Sequence, residues 1–261
     1  MLLRLGSACA VLLIVHLAQS SVTDLSPTCS RSCKCLGPWA RCISGRIEDL
    51  PGHFGPQIET MSLQSFNIGT IEANAFSDLK LPNFWKLDIV HCGVVTIKRN
   101  AFSGLKDLLS LHLDNNEIEI IEPGAFFGVF KLNSLSFQHN KIKSLEYGVF
   151  EGLDNLNLLN LNNNFLKSLK PKIFERVHTL TTIFLKENLM ESINSSALEG
   201  LNKAVQIYMD KNPLVCNCAL KKEWSVLRDR ITGATCSSPQ NVAGEGWDVL
   251  QGVNCDYIED K

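Results

Sequence analysis

A unit of 24 residues recurs along the chain, and no other feature of the sequence restricts the possible folds as strongly. Its apolar residues follow the spacing L-x-x-L-x-L-x-x-N-x-L, and an aliphatic residue and a phenylalanine come after them. Consecutive copies begin at Leu108, Leu132, Leu156 and Leu180. A unit of this length cannot bury its apolar face alone and does so by stacking on its neighbours. The sequence therefore predicts a solenoid.

Less regular copies extend the repeat in both directions. Two of them precede the regular copies and begin at Ile58 and Phe84, and a partial copy begins at Ala204. The x-L-x-L-x part of each copy alternates with a period of two, which predicts a short strand with its leucines inward. The pattern resembles the leucine-rich repeat. The predicted fold class is an α/β solenoid of horseshoe shape, with a concave parallel sheet and an irregular or short-helical convex side.

Two further residue types recur in phase with the leucines. An asparagine amide in each copy is expected to satisfy backbone groups at the turns that would otherwise be buried unpaired. Phe66 and Cys92 replace it in the first two copies, so their turns are expected to differ. Phenylalanines are expected to fill the space beneath the convex side. The asparagines are Asn116, Asn140, Asn164, Asn188 and Asn212, and the phenylalanines are Phe76, Phe102, Phe126, Phe150 and Phe174.

Cysteines flank the repeats at both ends, where a solenoid exposes its core and needs a cover. Disulfides are favoured over zinc because the C-x-C spacing lacks the paired C-x2-C of structural zinc sites. The spacing of each cluster leaves three pairings open. After the second C-x-C, Leu220, Trp224 and Leu227 predict a short helix that closes the core. The clusters are Cys29, Cys33, Cys35 and Cys42 before the repeats, and Cys216, Cys218, Cys236 and Cys255 after them.

With both clusters in place, the chain resembles the extracellular leucine-rich-repeat proteins with cysteine-rich flanking caps, such as Slit, Toll-type receptors, the Nogo receptor and variable lymphocyte receptors. The resemblance covers residues 29–255. Leu214 departs from the pattern, since the family usually has tryptophan after Asn-Pro. In that family the first cysteine of each cap pairs with the third and the second with the fourth. The resemblance therefore implies the pairs Cys29–Cys35, Cys33–Cys42, Cys216–Cys236 and Cys218–Cys255.

The N-terminal segment has the composition of a secretory signal. Arg4 precedes an apolar run from Leu5 to Leu17, and the small residues Ala18 and Ser20 follow it. The run is shorter than the roughly 20 residues that a membrane-spanning helix needs. We expect a secreted product with no membrane anchor in the mature chain. The predicted parts are a signal peptide (1–20), an N-terminal cap (21–57), the repeats (58–211), a C-terminal cap (212–255) and a short polar tail (256–261).

Composition excludes some classes of function. The charged fraction is 20% and the formal net charge is −2, which is not the composition of a basic nucleic-acid-binding protein or of a disordered chain. No nucleophile elbow, phosphate loop or zinc-protease motif is present, and an open sheet lacks the cleft that catalysis requires. His91, His112 and His139 would lie too far apart to share one ion. We therefore expect no enzyme activity, no cofactor and no metal site.

The outward positions of the predicted strands suggest a binding face. Most are small and polar, but Phe184 and Tyr208 fall at the same position of adjacent strands. Aromatic residues ringed by charges are typical of interface hot spots, although isolated exposed apolar residues are also normal without a partner. His112 on the same face could make a pH-sensitive contact. The candidate ligand-binding residues are Phe184, Tyr208, Leu158, Lys186, Glu187, Asp210 and His112.

These patterns together predict a secreted protein that binds an extracellular protein ligand, as a soluble receptor, decoy or modulator of signalling. A structural component of the extracellular matrix or of cell adhesion is the alternative. Asn194, within Asn-Ser-Ser, is a candidate glycosylation site. Cys92 has no partner in either cap, so it is expected to be a buried free thiol, with a covalent dimer as the alternative. A weak homodimer is a further expectation.

Overall fold

The computed structural model describes residues 29, 32–45, 47 and 54–255. The predicted signal peptide and polar tail lie outside these residues. One α-helix, three short 3₁₀ helices (Ser195–Leu198, Gln240–Val242 and Trp247–Gly252) and fifteen strands are described. In chain order the labelled elements are β1 (Cys33–Leu36), β2 (Trp39–Ile43), β3 (Thr60–Gln64), β4 (Thr70–Ile71), β5 (Lys86–Val90), β6 (Thr96–Ile97), β7 (Ser110–His112), β8 (Ile120–Ile121), β9 (Ser134–Ser136), β10 (Leu158–Asn160), β11 (Thr182–Phe184), β12 (Gln206–Tyr208), β13 (Leu214–Val215), α1 (Cys218–Leu227), β14 (Ile231–Thr232) and β15 (Cys236–Ser238).

Ten of these strands form one sheet in the order β1-β2-β3-β5-β7-β9-β10-β11-β12-β14. All neighbours are parallel except β1 and β2, which form an antiparallel pair. The predicted solenoid with a parallel sheet is confirmed. Each cap also adds to this sheet, because β2 pairs with β3 and β14 pairs with β12.

A second sheet of three two-residue strands, β4, β6 and β8, follows the turns after the first concave strands. It was not expected, since the convex side was predicted to be irregular or short-helical. Beyond β8 the corresponding segments have no paired strands among the described residues, and Ser195–Leu198 is a 3₁₀ helix.

The core runs the length of the repeats and is built from the predicted leucines and phenylalanines. In β3 and β5 buried residues alternate with half-buried ones, as the period of two requires. Phe76, Phe102 and Phe126 stack face to face with ring centroids 5.7 and 5.6 Å apart, and Phe150 stacks on Phe174 at 5.7 Å. Each repeat therefore buries its apolar residues against the next one.

The asparagines form the predicted hydrogen-bonded ladder. Asn140 Nδ2 donates to the carbonyl oxygens of Leu113 and Phe137, at 2.9 Å each. Asn140 Oδ1 accepts from the backbone N–H of Ile118 at 3.0 Å. One amide therefore satisfies buried backbone groups of two successive repeats. The same contacts recur at Asn116, Asn164, Asn188 and Asn212.

Cys92 occupies the place of an asparagine and is a buried free thiol. Its Sγ donates to the carbonyl oxygens of Leu63 and Val90, at 3.3 Å each. Burial raises the pKa of the thiol, and the hydrogen bonds to backbone groups only partly oppose this effect. The side chain therefore replaces part of the asparagine's hydrogen bonding.

The residue before each ladder position has a left-handed backbone. These residues share φ values of 55–58°. Such values are uncommon for residues other than glycine, although asparagine tolerates them. The left-handed turn carries the chain out of each concave strand. The residues are Ser65, His91, Asn115, His139, Asn163, Glu187 and Lys211.

Disulfides hold both caps together, and they join the cysteines that the resemblance implies: Cys29–Cys35, Cys33–Cys42, Cys216–Cys236 and Cys218–Cys255. Helix α1 buries Leu220, Trp224 and Leu227 as predicted. Its N-cap is Asn217, whose side chain accepts from the backbone N–H of Leu220 at 3.0 Å. Trp224 Nε1 donates to Asp248 Oδ1 at 3.1 Å, which fixes the helix against the 3₁₀ helix Trp247–Gly252.

Candidate ligand-binding face

Phe184 and Tyr208 lie side by side on the concave face. They end β11 and β12 and are direct partners in the parallel register. Their rings stack with centroids 5.0 Å apart and an interplanar angle of 23°. Both are half-buried, whereas the preceding Ile183 and Ile207 are buried in the core. Strand alternation therefore places the two aromatic rings on the solvent side.

Charged residues border the aromatic pair at the C-terminal ends of the strands. Lys186 Nζ lies 5.6 Å from the centroid of the Tyr208 ring and 2.9 Å from Asp210 Oδ2. Asn162 Oδ1 also accepts from the backbone N–H of Lys186 at 2.8 Å. The lysine is thus held between the ring and the carboxylate, in the geometry of a cation–π contact.

Glu187 lies next to this border, at one of the left-handed positions. Lys211 Nζ is 2.6 Å from Glu187 Oε1, and Asn163 Nδ2 donates to the other carboxylate oxygen. The hydrogen bond from Lys211, followed by that from Asn163, lowers the pKa of Glu187, and the same contact raises the pKa of Lys211. Glu187 and Lys211 therefore form an ion pair just beyond the C-terminal ends of β11 and β12, and both side chains stay charged across the neutral pH range.

Leu158 lies near the aromatic pair but not directly beside it. It begins β10 and pairs with Thr182, whereas Asn160 of the same strand pairs with Phe184. Leu158 is half-buried and therefore adds apolar surface diagonally across the sheet from Phe184.

His112 belongs to a different cluster. It ends β7, three strands away from β11, which is about 14 Å at the usual spacing. Its Nδ1 lies 2.9 Å from Asp88 Oδ1, and Lys86 Nζ lies 3.2 Å from Asp88 Oδ2. Burial would raise the pKa of Asp88, but hydrogen bonds from His112 and Lys86 outweigh it and hold this pKa below its ordinary value. His112 is therefore part of a polar network rather than of the aromatic site.

The same network includes a serine. Ser110 Oγ lies 3.2 Å from His112 Nε2, so Asp88, His112 and Ser110 form a chain of polar contacts. The order matches that of a nucleophile, base and orienting acid. The backbone N–H of Ser110 already donates to the carbonyl oxygen of Trp85 at 3.0 Å and is not free to stabilise an oxyanion. We therefore assign this chain of contacts to fixing the side chains of the sheet.

Sequence reasoning missed the part of the face that the N-terminal cap supplies. Trp39, Arg41 and Ile43 of β2 pair with Thr60, Ser62 and Gln64 of β3, so they continue the outward rows of the repeats. All three are exposed. The alternation of large residues with the small Ala40 and Cys42 in Trp39–Ile43 was the available sequence signal for a strand. The cysteines instead indicated only a disulfide-bonded cover.

Comparisons with known proteins agree with this architecture. A family model described as "BspA type Leucine rich repeat region (6 copies)" matches residues 95–214. Among solved structures, human 5T4 (Wnt-activated inhibitory factor 1, trophoblast glycoprotein) superimposes with a TM-score of 0.59 at 19% sequence identity. The match covers 88% of this chain and 98% of the 5T4 chain. This chain has the leucine-rich-repeat fold, with a disulfide-bonded cap at each end.

The comparisons leave the ligand of this leucine-rich-repeat protein open. No curated protein sequence gives a significant match. Solved chains that match number 424, so the fold is shared by too many proteins to indicate one ligand. Among the helices that the structure describes, none is both long and apolar enough to cross a membrane. Evidence about a ligand must therefore be sought in the surface residues of this chain.

Proposed function

We propose that this leucine-rich-repeat protein is a secreted binding protein that recognises an extracellular protein ligand through its concave sheet. It would act as a soluble receptor, a decoy or a modulator of signalling. The observation that carries the proposal is the stacked pair of Phe184 and Tyr208, with Lys186 and Asp210 at its border. Half-buried aromatic residues surrounded by polar groups are the usual composition of a binding hot spot.

The rigidity of the pair favours binding. Both rings are stacked on each other, and Tyr208 also contacts Lys186. Their strands belong to a continuous hydrogen-bonded sheet. A ligand that covers them would immobilise few side chains, so little conformational entropy would be lost on binding.

The flanks of the solenoid offer less to a charged or polar ligand. Lysines there pair with carboxylates of an adjacent repeat, and similar pairs recur from one repeat to the next. Such charges are already neutralised within the chain. Examples are Lys98–Glu122 (2.8 Å), Lys131–Asp107 (2.6 Å) and Lys141–Glu117 (2.9 Å).

An extracellular location is supported by the caps. Disulfides of this kind persist in oxidising compartments and are rare in the cytosol. The exposed Asn194 is consistent with the same route, since it lies outside the concave strands at the start of Ser195–Leu198. A glycan on Asn194 would leave the proposed binding face open. Human 5T4, also called Wnt-activated inhibitory factor 1, is a precedent for a signalling modulator on this fold.

Footprinting of a complex tests the location of the site. A partner would be captured from the native extracellular fluid with the tagged secreted chain, purified, and bound again to the chain. Hydroxyl-radical oxidation should then fall at Phe184 and Tyr208. Phe165 and Leu189 serve as internal controls because they are exposed at 44% and 42% in adjacent repeats, outside the concave strands. Protection of the control pair alone would contradict the proposal.

A further inference from the structure

We propose that the N-terminal cap carries a second contact site, which binds an acidic segment of a protein ligand that also has apolar side chains. The site, called here the cap patch, consists of Lys34, Leu36, Trp39, Arg41 and Ile43. The inference rests on the proposed binding role and adds to it a surface and a chemistry that the aromatic pair lacks.

Pairing in the sheet gathers these residues on one face. Lys34 is opposite Arg41, and Leu36 is opposite Trp39, in the antiparallel pair of β1 and β2. Opposite residues of an antiparallel pair point to the same side of the sheet. The intervening Ala40 and Cys42 are buried and the intervening Cys35 is half-buried, so the patch residues occupy the outer side of the strands.

The cap patch is strongly exposed and apolar. Leu36 is 75% exposed, Trp39 is 60% exposed and Ile43 is 49% exposed. Isolated exposed apolar residues are common on protein surfaces, but here Leu36 and Trp39 are opposite each other and Ile43 lies on the same side of β2, beyond Arg41. On a disulfide-bonded pair of strands these residues form a preformed surface with apolar groups. Tryptophan and arginine are also the residue types most enriched in hot spots.

The charges of the cap patch determine the chemistry of its partner. Lys34 and Arg41 are both exposed, and neither forms an ion pair with a carboxylate among the residues that the structure describes. Arg41 donates to a neutral group, Gln64 Oε1, at 2.7 Å. Several lysines of the repeats are instead paired with carboxylates, as in Lys98–Glu122 and Lys186–Asp210. Two unneutralised cations among apolar residues complement an acidic segment with apolar anchors.

The cap patch is separate from the aromatic pair. Six strand spacings lie between β2 and β11, which is about 29 Å along the sheet. Substitutions at sites this far apart act independently unless a shared structural change links them. The two sites can therefore be tested one at a time on the full chain.

A peptide selection tests the proposal. A phage-displayed library of random 12-residue peptides would be panned against the secreted full-length chain, and the affinity of selected peptides measured for variants. Trp39→Ala and the double variant Lys34→Glu/Arg41→Glu remove the apolar and the charged parts of the cap patch. Trp85→Ala is the matched control, since Trp85 is another exposed tryptophan outside the patch. Correct disulfide pairing and an unchanged circular dichroism spectrum establish folding.

We expect peptides rich in aspartate or glutamate next to leucine, isoleucine or aromatic residues. Both cap-patch variants should weaken their binding at least tenfold, while Trp85→Ala and the double variant Phe184→Ala/Tyr208→Ala should leave it unchanged. Peptides without acidic enrichment, or equal binding to the cap-patch variants, would overturn the inference. Peptides sensitive only to Phe184→Ala/Tyr208→Ala would support the proposed function and still overturn this inference.

Two other occupants are separated by their own measurements. Sedimentation of the chain should show no concentration-dependent dimer that Trp39→Ala abolishes, since such a dimer would make a second copy the occupant. Vesicles containing phosphatidylserine should not compete with the selected peptides. Vesicle binding by the chain that is lost in Lys34→Glu/Arg41→Glu would assign the cap patch to a membrane surface and overturn the proposal.

Discussion

At the scale of single residues, the ladder asparagines have a role that their spacing already indicated. A buried amide that recurs every 24 residues can serve only groups that recur with it, which are the backbone groups of the turns. The left-handed residues before them could not be predicted, because serine, histidine, glutamate and lysine share the position with asparagine. The stacked geometry of the repeats imposes that conformation, and no residue type marks it.

Substitution of one ladder residue tests this role. Asn140→Ala leaves the buried N–H of Ile118 without its partner and removes one of the two asparagine donors to each of the carbonyl oxygens of Leu113 and Phe137. It should therefore destabilise the fold by about 2–4 kcal/mol. Urea unfolding would measure the difference. Asn115→Ala changes the half-buried residue that precedes the ladder residue Asn116, and it should lower the free energy of unfolding by only about 1 kcal/mol. Equal effects of the two substitutions would refute the assigned role.

Asp88 makes the stability of the fold depend on pH in the acidic range. Its pKa is held below the ordinary value of 3.8 in the folded chain, so its ionisation stabilises the fold above that value. This contribution should disappear as the pH falls below 3.8 and through the folded-state pKa. Unfolding of Asp88→Asn measured between pH 5 and pH 2 should show a shallower loss of stability than the wild type. A parallel loss in both proteins would show that the network around Asp88 does not contribute.

The contact between Asp88 and His112 shows which side-chain contacts the 24-residue spacing predicts and which it does not. Asp88 stands 24 residues before His112, so their adjacency could have been read from the repeat. Spacing does not show which acid His112 contacts, since Asp114 lies two residues after it in the same copy. Asp114 accepts from Ser136 Oγ at 2.5 Å and from the backbone N–H of Gln138 at 2.7 Å. Phe184 and Tyr208 were predicted correctly as neighbours because the partial copy that contains Tyr208 keeps the 24-residue spacing of the regular copy before it.

At the scale of elements, the concave strands and helix α1 follow from local patterns, since alternation predicts a strand and spacing of three or four predicts a helix. The cap strands at the two ends of the sheet cannot be predicted from such local patterns. Strands β2 and β14 lie in caps that lack the repeat, and each exists as a sheet strand because the exposed edge of a neighbouring repeat pairs with it. The two-residue strands β4, β6 and β8 are likewise defined by their neighbours.

Helix α1 closes the C-terminal end of the core mainly through Trp224. This side chain is buried and donates to Asp248, so Trp224→Ala should destabilise the protein by about 3–5 kcal/mol. Val226 lies on the same helix but is exposed, and Val226→Ala should change the stability by less than about 0.5 kcal/mol. Thermal or urea unfolding of both variants makes the comparison. A small effect of Trp224→Ala would mean that the disulfides alone close this end.

At the scale of the whole molecule, the solenoid presents one continuous sheet whose two ends differ from its centre. The middle strands carry a polar network around Asp88 and His112, while the C-terminal strands carry Phe184 and Tyr208. The N-terminal cap adds Trp39 and its neighbours at the other end. A rigid sheet with its apolar groups at defined places is suited to selective protein recognition. We expect the aromatic pair to contribute most of the binding free energy.

The affinity of the purified chain for its captured ligand would measure this contribution. Phe184→Ala/Tyr208→Ala should weaken binding by more than about 2 kcal/mol, roughly thirtyfold, because it removes the stacked surface without disturbing the core. The control variant Phe165→Ala/Leu189→Ala removes a more exposed apolar pair outside the concave strands and should leave the dissociation constant within about twofold. An unchanged dissociation constant for a folded Phe184→Ala/Tyr208→Ala protein would contradict the account and place the binding site elsewhere on the molecule.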